Sequence, residues 1–238
     1  MERLFFVHGS VVGGAPTWRA QQALADRFEL VVLERPGFPP NPPVERIDFE
    51  ADAELVAAGL EPGDHLVGHS YGGIITLLAA ARRPEAVRSL TVVEPPATRV
   101  ALGNPAADEL AAEAVAAWSS AAGAEPETFL RSFLAAVGSD FDPPSPLPPE
   151  LEQGARMLMV QRGPWEAEIP LADIAEAPFP KLVVSGNHHP AFEAICDVLE
   201  RELRAERIVL PGYGHMAQRH PGFNATLEDF VDRSSTAD

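Results

Sequence analysis

The sequence predicts an α/β fold: one doubly wound sheet of about six strands, helices on both faces, and a helical segment inserted late in the sheet. Three observations carry this. Six short apolar runs rich in β-branched residues recur along the chain: Leu4–Val7, Leu30–Leu33, His65–Val67, Leu90–Val93, Leu182–Val184 and Arg207–Leu210. Most are nearly unbroken in apolar character, which suits strands covered on both faces of a parallel sheet. Segments of helical character separate the first five, the rhythm of a wound sheet with right-handed crossovers. At 238 residues, 46% of them hydrophobic, the chain fits one large domain or one domain with a sizeable insertion.

Each element has its own signal. Thr17–Phe28 places Trp18, Leu24 and Phe28 as the apolar positions of a helix. Phe49–Leu60 does so with Leu55, Val56 and Leu60, and Tyr71–Ala81 is rich in Ala, Leu and Ile before Arg82-Arg83-Pro84 ends it. Glu193–Arg204 sets Ile195, Val198, Leu199 and Leu203 on one side. The rhythm breaks after Pro95-Pro96. Ala106–Ala122, Glu127–Val137 and Leu151–Gln161 read as three helices, and Asp142–Pro149 is too proline-rich for regular structure. Arg99–Pro164 is therefore expected to be a helical insertion between two strands. Ser234–Asp238 is expected to fray.

Composition excludes some functions. Eighteen Lys and Arg stand against 35 Asp and Glu, a formal charge of −17, which disfavours nucleic acid and acidic membrane surfaces as partners. Cys196 is the only cysteine, so no intrachain disulfide can form; on an amphipathic helix it is read as a small core residue. No leader-like segment precedes Leu4–Val7 and no apolar run approaches spanning length, so the expected location is cytoplasmic. The expected partners are a small-molecule substrate and, at most, a second copy of the chain in a homodimer. No cofactor and no metal are expected.

The chemistry-bearing stretch follows the third strand. Gly68-His69-Ser70-Tyr71-Gly72 is G-x-S-x-G between a strand and a helix. In that context the turn is tight, the serine hydroxyl is exposed at the sheet edge, and the helix turns its first N–H groups toward developing negative charge. Acyl transfer needs two donors on the oxyanion. The N–H of Tyr71 and that of Ser10, in the turn after the first strand (Val7-His8-Gly9-Ser10), are the natural pair. His8 is read as a brace for that loop. A serine also needs a base. His215, in the glycine-bearing loop after the last strand, is the candidate, and His220 is expected to be structural. His188, His189, His215 and His220 lack metal-site spacing, and adjacent histidines on an extended loop point apart.

With "VHGS", "ERPGF", "GHSYGG", "PFPKLVVSG" and "GYGHMAQRHP" in this order, the sequence resembles the α/β-hydrolase fold superfamily over nearly its whole length, in its small soluble serine esterase-like branch. The resemblance implies Ser70 as nucleophile, His215 as base, and an oxyanion hole from the N–H groups of Ser10 and Tyr71. It also implies that residues 99–164 form a helical cap on a core of residues 1–98 and 165–238. The family usually has two strands before the HG strand; here Leu4–Val7 is already that strand, so about six strands, all parallel, are expected. The cap's Trp118, Phe133, Met157 and Trp165 are pocket candidates that could equally pack cap on core. Arg35, in "ERPGF", is a candidate substrate contact that could equally brace its loop.

One departure bears on mechanism. The family most often keeps its acid after the penultimate strand, in a pattern like G-x-x-D-P. Here the stretch is Gly186-Asn187-His188-His189-Pro190, with His189 in the acid's place. Three alternatives stay open. The acid is Glu94, at the end of the strand Leu90–Val93, where some relatives carry it; or it is Glu193 or Asp197; or there is none. The expected chemistry is hydrolysis of a small ester, thioester or lactone. The alternatives are non-hydrolytic chemistry on the same site (a lyase, C–C hydrolase or cyclase) and ligand binding.

Overall fold

The computed structural model describes residues 1–236. In chain order the elements are β1 (Arg3–Val7), α1 (Gly14–Thr17), β2 (Glu29–Leu33), α2 (Phe49–Gly59), β3 (Asp64–His69), α3 (Tyr71–Arg82) and β4 (Val87–Val93). Then follow α4 (Pro105–Ser119), α5 (Pro126–Ala136), α6 (Pro149–Met159), α7 (Leu171–Glu176), β5 (Lys181–Ser185), α8 (Pro190–Leu203), β6 (Glu206–Val209) and α9 (Phe223–Ser235). The six strands form one sheet in the order β2-β1-β3-β4-β5-β6, with every pairing parallel. The chain moves from β1 outward to β2, then recrosses to β3. The strand order therefore reverses between β1 and β3, where open α/β sheets leave a crevice at their carboxyl ends. Val7 is level with Leu33 and with Gly68, so the loops after β1, β2 and β3 emerge together.

Alternation along the strands splits the core. Phe5, Val7, Leu66 and Val92 face α2, α3 and α8, against Val56, Ile74, Leu78 and Leu199. Leu4, Phe6, Val67 and Val184 face the other way, onto Trp18, Phe28, Phe223 and Phe230. Each such large side chain contributes roughly 1.5–3 kcal/mol by leaving water. A third cluster, including Leu130, Leu134, Leu151 and Leu158, holds the inserted helices together and includes Val11 of the loop after β1. No helix among the described residues is long and apolar enough to cross a membrane.

Local chemistry explains the helix starts. Asp48 and Asn104 cap α2 and α4 through the N–H groups of Glu50 and Ala106, each at 3.0 Å. Proline opens α4, α5, α6 and α8, where its missing N–H has no intrahelical partner to lose. Four expectations are corrected. Thr17–Phe28 is not one helix. The Glu34 carboxylate accepts from the N–H of Gly14 (2.7 Å) and of Ala15 (2.8 Å), which moves the start upstream, and Arg19–Leu24 tightens into a 3₁₀ stretch. The short α7 was not expected. Pro149 belongs to α6 rather than to the irregular stretch before it. Ser234 and Ser235 continue α9, with Ser234 Oγ donating to the Phe230 carbonyl at 2.7 Å; Ala237 and Asp238 lie outside the described residues.

Candidate active site

The sharp turn after β3 is legible in its contacts. Ser70 sits at φ 55°, ψ −127°, a conformation rarely taken by a residue with a side chain. It is held there by its N–H on Val93 O (2.8 Å) and by Gly73 N–H on its own carbonyl (2.7 Å). Glycine is required beside it: a Cβ on Gly72 would lie 2.4 Å from Val7 O and 2.5 Å from His8 O. The turn can thus lie directly on β1. Tyr71 is the first residue of α3, so its N–H has no intrahelical acceptor.

Three side chains from separate parts of the chain join in one hydrogen-bonded line. Ser70 Oγ–H donates to His215 Nε2 at 2.9 Å, and His215 Nδ1–H donates to Glu94 Oε2 at 2.9 Å. Glu94 follows β4 at φ 49° and is fully buried. Its Oε1 accepts from Gly186 N–H at 2.5 Å. Burial alone would push the Glu94 carboxyl upward in pKa. Contact with His188 and His215 outweighs it and holds the value at about 2, so the group is an anion at neutral pH. The His215 loop is fixed from below by His69, whose Nε2–H donates to His215 O at 2.9 Å. Burial, with His215 beside it, drives the His69 pKa down to about 3, so His69 acts as a neutral donor.

The loop after β1 closes the other side. His8 Nδ1–H donates to Gly9 O (2.9 Å) while its Nε2 accepts from Arg35 N–H (3.2 Å), which is the bracing expected of it. Val11 has φ 76°, a costly conformation for a β-branched residue. Gly154 of α6 packs on it so closely that a Cβ there would fall 1.7 Å from Val11 O. Ser10 Oγ–H donates to Gln161 Oε1 at 2.7 Å. Gln161 is brought there by a parallel bridge to Ile47 at the exit of the inserted helices.

Two cavities meet at Ser70. One, enclosing about 670 Å³ with its open mouth included, has Ser10, Ser70 and Tyr71 at its floor and Trp118, Phe133, Trp165, Leu110 and Phe192 in its walls. The other, about 650 Å³ on the same measure, adjoins His215 and is lined by Val11, Phe141, Met216 and Arg219. Trp118, Phe133 and Trp165 thus line the space above the serine. Arg35 and Met157 do not. Arg35 is fully buried, held by the Asp52 carboxylate (Nε to Oδ2, 2.9 Å) and by Gly9 O (2.7 Å), because an unpaired guanidinium could not be buried there. Met157 is buried against Gly37 and Val44, with its sulfur accepting from Val44 N–H at 3.5 Å.

The remaining acid and histidine candidates fall elsewhere. Glu193 accepts from Ser185 Oγ (2.9 Å), Arg207 (2.7 Å) and Asn187 N–H (3.0 Å), tying β5, α8 and β6 together. Asp197 is exposed, 3.9 Å from Arg207. His189 caps α8, its Nδ1 accepting from Ala191 N–H at 3.2 Å, and His220 Nδ1 accepts from Gly222 N–H at 3.0 Å. His188 approaches the line itself. Its Nδ1 lies 3.1 Å from Glu94 Oε2, at an angle too bent for a hydrogen bond, so the contact is chiefly electrostatic. Gln161, Phe192 and Arg219 were also missed; Gln161 and Phe192 stand in no motif, Arg219 lies in "GYGHMAQRHP" without an assigned role, and only the fold brings them to the cavities at Ser70.

Comparison with known proteins adds the following. A family model described as the alpha/beta hydrolase family matches residues 4–225. A pimeloyl-[acyl-carrier protein] methyl ester esterase of Chromobacterium violaceum is 37% identical over 87 residues, 37% of this chain and 34% of that esterase. The chain thus matches about a third of that relative's length. Among solved structures, NosK from Streptomyces actuosus superposes with a TM-score of 0.68 at 23% identity, covering 98% of this chain and 99% of that one. MenH from S. aureus gives 0.77 at 15% identity, covering 99% and 95%. At such identities these two likenesses speak to the fold alone.

Proposed function

We propose that this chain, which belongs to the alpha/beta hydrolase family, hydrolyses a small carboxylic ester, thioester or lactone through an acyl-enzyme on Ser70. The observation that carries the reading is the unbroken line Ser70–His215–Glu94 at the meeting point of two cavities. His215 Nε2 takes the Ser70 proton as Oγ attacks the carbonyl carbon. Glu94 holds the tautomer with Nδ1 protonated and stabilises the imidazolium that forms. The N–H groups of Ser10 and Tyr71 receive the oxyanion, each such donor being worth roughly 10²–10³ in rate. His215 then protonates the leaving oxygen or sulfur. It next takes a proton from water, whose oxygen attacks the acyl carbon and frees Ser70.

The inserted helices act as a cap in this reading. The acyl group occupies the apolar cavity under Trp118, Phe133 and Trp165, and the leaving group exits past Met216 and Arg219. The location that suits the buried free thiol of Cys196 is the cytoplasm. A fluorophosphonate probe together with p-nitrophenyl esters of graded chain length tests the reading. Wild type should label and turn over ester, and Ser70→Ala should do neither. A folded wild type that fails to label would sink the proposal, and labelling without turnover of any ester would move the chemistry away from hydrolysis.

A further inference from the structure

His188 faces an acceptor at each ring nitrogen, and neither acceptor can donate. Nε2 lies 3.0 Å from the carbonyl oxygen of Val137, the residue just after α5. Nδ1 lies 3.1 Å from Glu94 Oε2. A neutral imidazole has one N–H; given to the Val137 carbonyl, it leaves an electron-rich Nδ1 3.1 Å from a carboxylate oxygen. The side chain is only 9% exposed, which leaves little room for water to relieve the mismatch. An imidazolium donates to the Val137 carbonyl and sets a positive charge beside Glu94.

We infer that His188 is a cationic positioning residue of the Ser70 site, seating the end of α5 on Glu94 and sharing that carboxylate oxygen with His215. The inference rests on the assignment of Ser70, His215 and Glu94 as the working line. The groups around the ring are consistent with a single positive charge. Glu94 faces it from the end of β4, and the Val137 carbonyl from the end of α5, where a helix terminus favours a cation. His215 faces it from the loop after β6 with ring centroids 5.7 Å apart. Phe192 of α8 stacks on it at 5.4 Å, His189 lies at 6.2 Å, and Glu193 adds a more distant negative charge from α8. Burial lowers the His188 pKa, but contact with Glu94 and the Val137 carbonyl more than offsets this and raises it.

The consequence falls on His215. Both rings meet the same Glu94 oxygen, so the charge on His188 opposes a second positive charge on that carboxylate. Removing that charge should therefore change the pH dependence of the reaction at Ser70. The test follows the second-order rate of Ser70 labelling by a fluorophosphonate against pH, in wild type and His188→Gln. In parallel, NMR of the full chain with ¹³C-labelled histidine reads the titration of His188 itself. The His188 resonances should remain those of imidazolium above the pH at which an ordinary histidine, near 6.5, loses its proton. The acid limb of the labelling profile should move up by about one pH unit in His188→Gln, as expected for losing a unit charge a few ångströms away. A purely structural histidine would lower the plateau and leave the midpoint in place; that result in a folded variant overturns the proposal, as does titration of His188 at or below the ordinary range. If His188→Gln does not fold, His188→Asn and the wild-type titration decide. If wild type does not label at all, the assignment of the line fails, and the titration still decides the charge on His188.

Discussion

Glu94→Gln tests the acid at the point where its geometry is most constrained. Glu94 Oε1 is held by Gly186 N–H at 2.5 Å, so the glutamine oxygen should keep that partner and turn its NH₂ toward His215 Nδ1. His215 would then have to accept at Nδ1 and carry its proton at Nε2, facing Ser70, where it cannot act as a base. The lost charge adds to this. An anion and an imidazolium with centres about 4 Å apart interact by about 4 kcal/mol at an effective dielectric constant near 20. The expected loss in kcat is therefore on the order of 10³-fold. KM for a p-nitrophenyl ester should change less than about threefold, because no substrate contact is removed. The assay is steady-state turnover alongside fluorophosphonate labelling and a melting curve. A folded Glu94→Gln within about fivefold of wild-type turnover would refute the reasoning and return the acid to a Ser–His pair acting alone.

Three further outcomes are expected. Gly154→Ala places a methyl group where the Val11 carbonyl oxygen lies, so the loop bearing Ser10 must move. Turnover should fall on the order of 10- to 100-fold, and normal turnover in steady-state assays would remove Ser10 N–H from the reacting geometry. His8 and His69 are buried with pKa values below the ordinary 6.5, so the unfolded chain binds their protons first. Their neutral forms cost nothing above about pH 6.5, and stability is lost as pH falls below it, by about 1.4 kcal/mol per pH unit for each group. His188, shifted the other way, acts only above that window. Urea denaturation at pH 7, 6 and 5 measures this, and a flat profile would contradict it. Arg219 has no acidic partner among the described residues and lies beside Arg19. Arg219→Gln should raise KM about five- to tenfold for esters with an anionic leaving group and leave neutral ones unchanged; equal effects on both would place Arg219 outside the leaving-group path.

The fold was legible because its signals are local. Unbroken apolar runs specify buried parallel strands, proline and glycine mark the turns, and the six strands and most of the helices lie within a few residues of where these signals put them. The segment 17–28 misled because its helical spacing is weaker than the pull of Glu34 on the N–H groups before it, and Glu34 is remote in sequence. Arg35 and Met157 carried chemistry that suits a pocket, yet the partners that bury them, Asp52 and Val44, are likewise set by packing.

By itself the sequence determined the sheet, the sharp turn at Ser70 and a short roster of acids, since each depends on neighbours along the chain. Only the tertiary structure decided which carboxylate lies beside His215. β4 runs next to β5, and the loop after β6 folds back over their ends, so Glu94 is near and Glu193 is bound to Arg207. The same holds for the adjacent histidines: their sequence implies that the rings part, and the packing of α5 decides that His188 meets Glu94 while His189 caps a helix. Contacts between segments far apart in the chain depend on which surfaces pack together, and no local pattern encodes that.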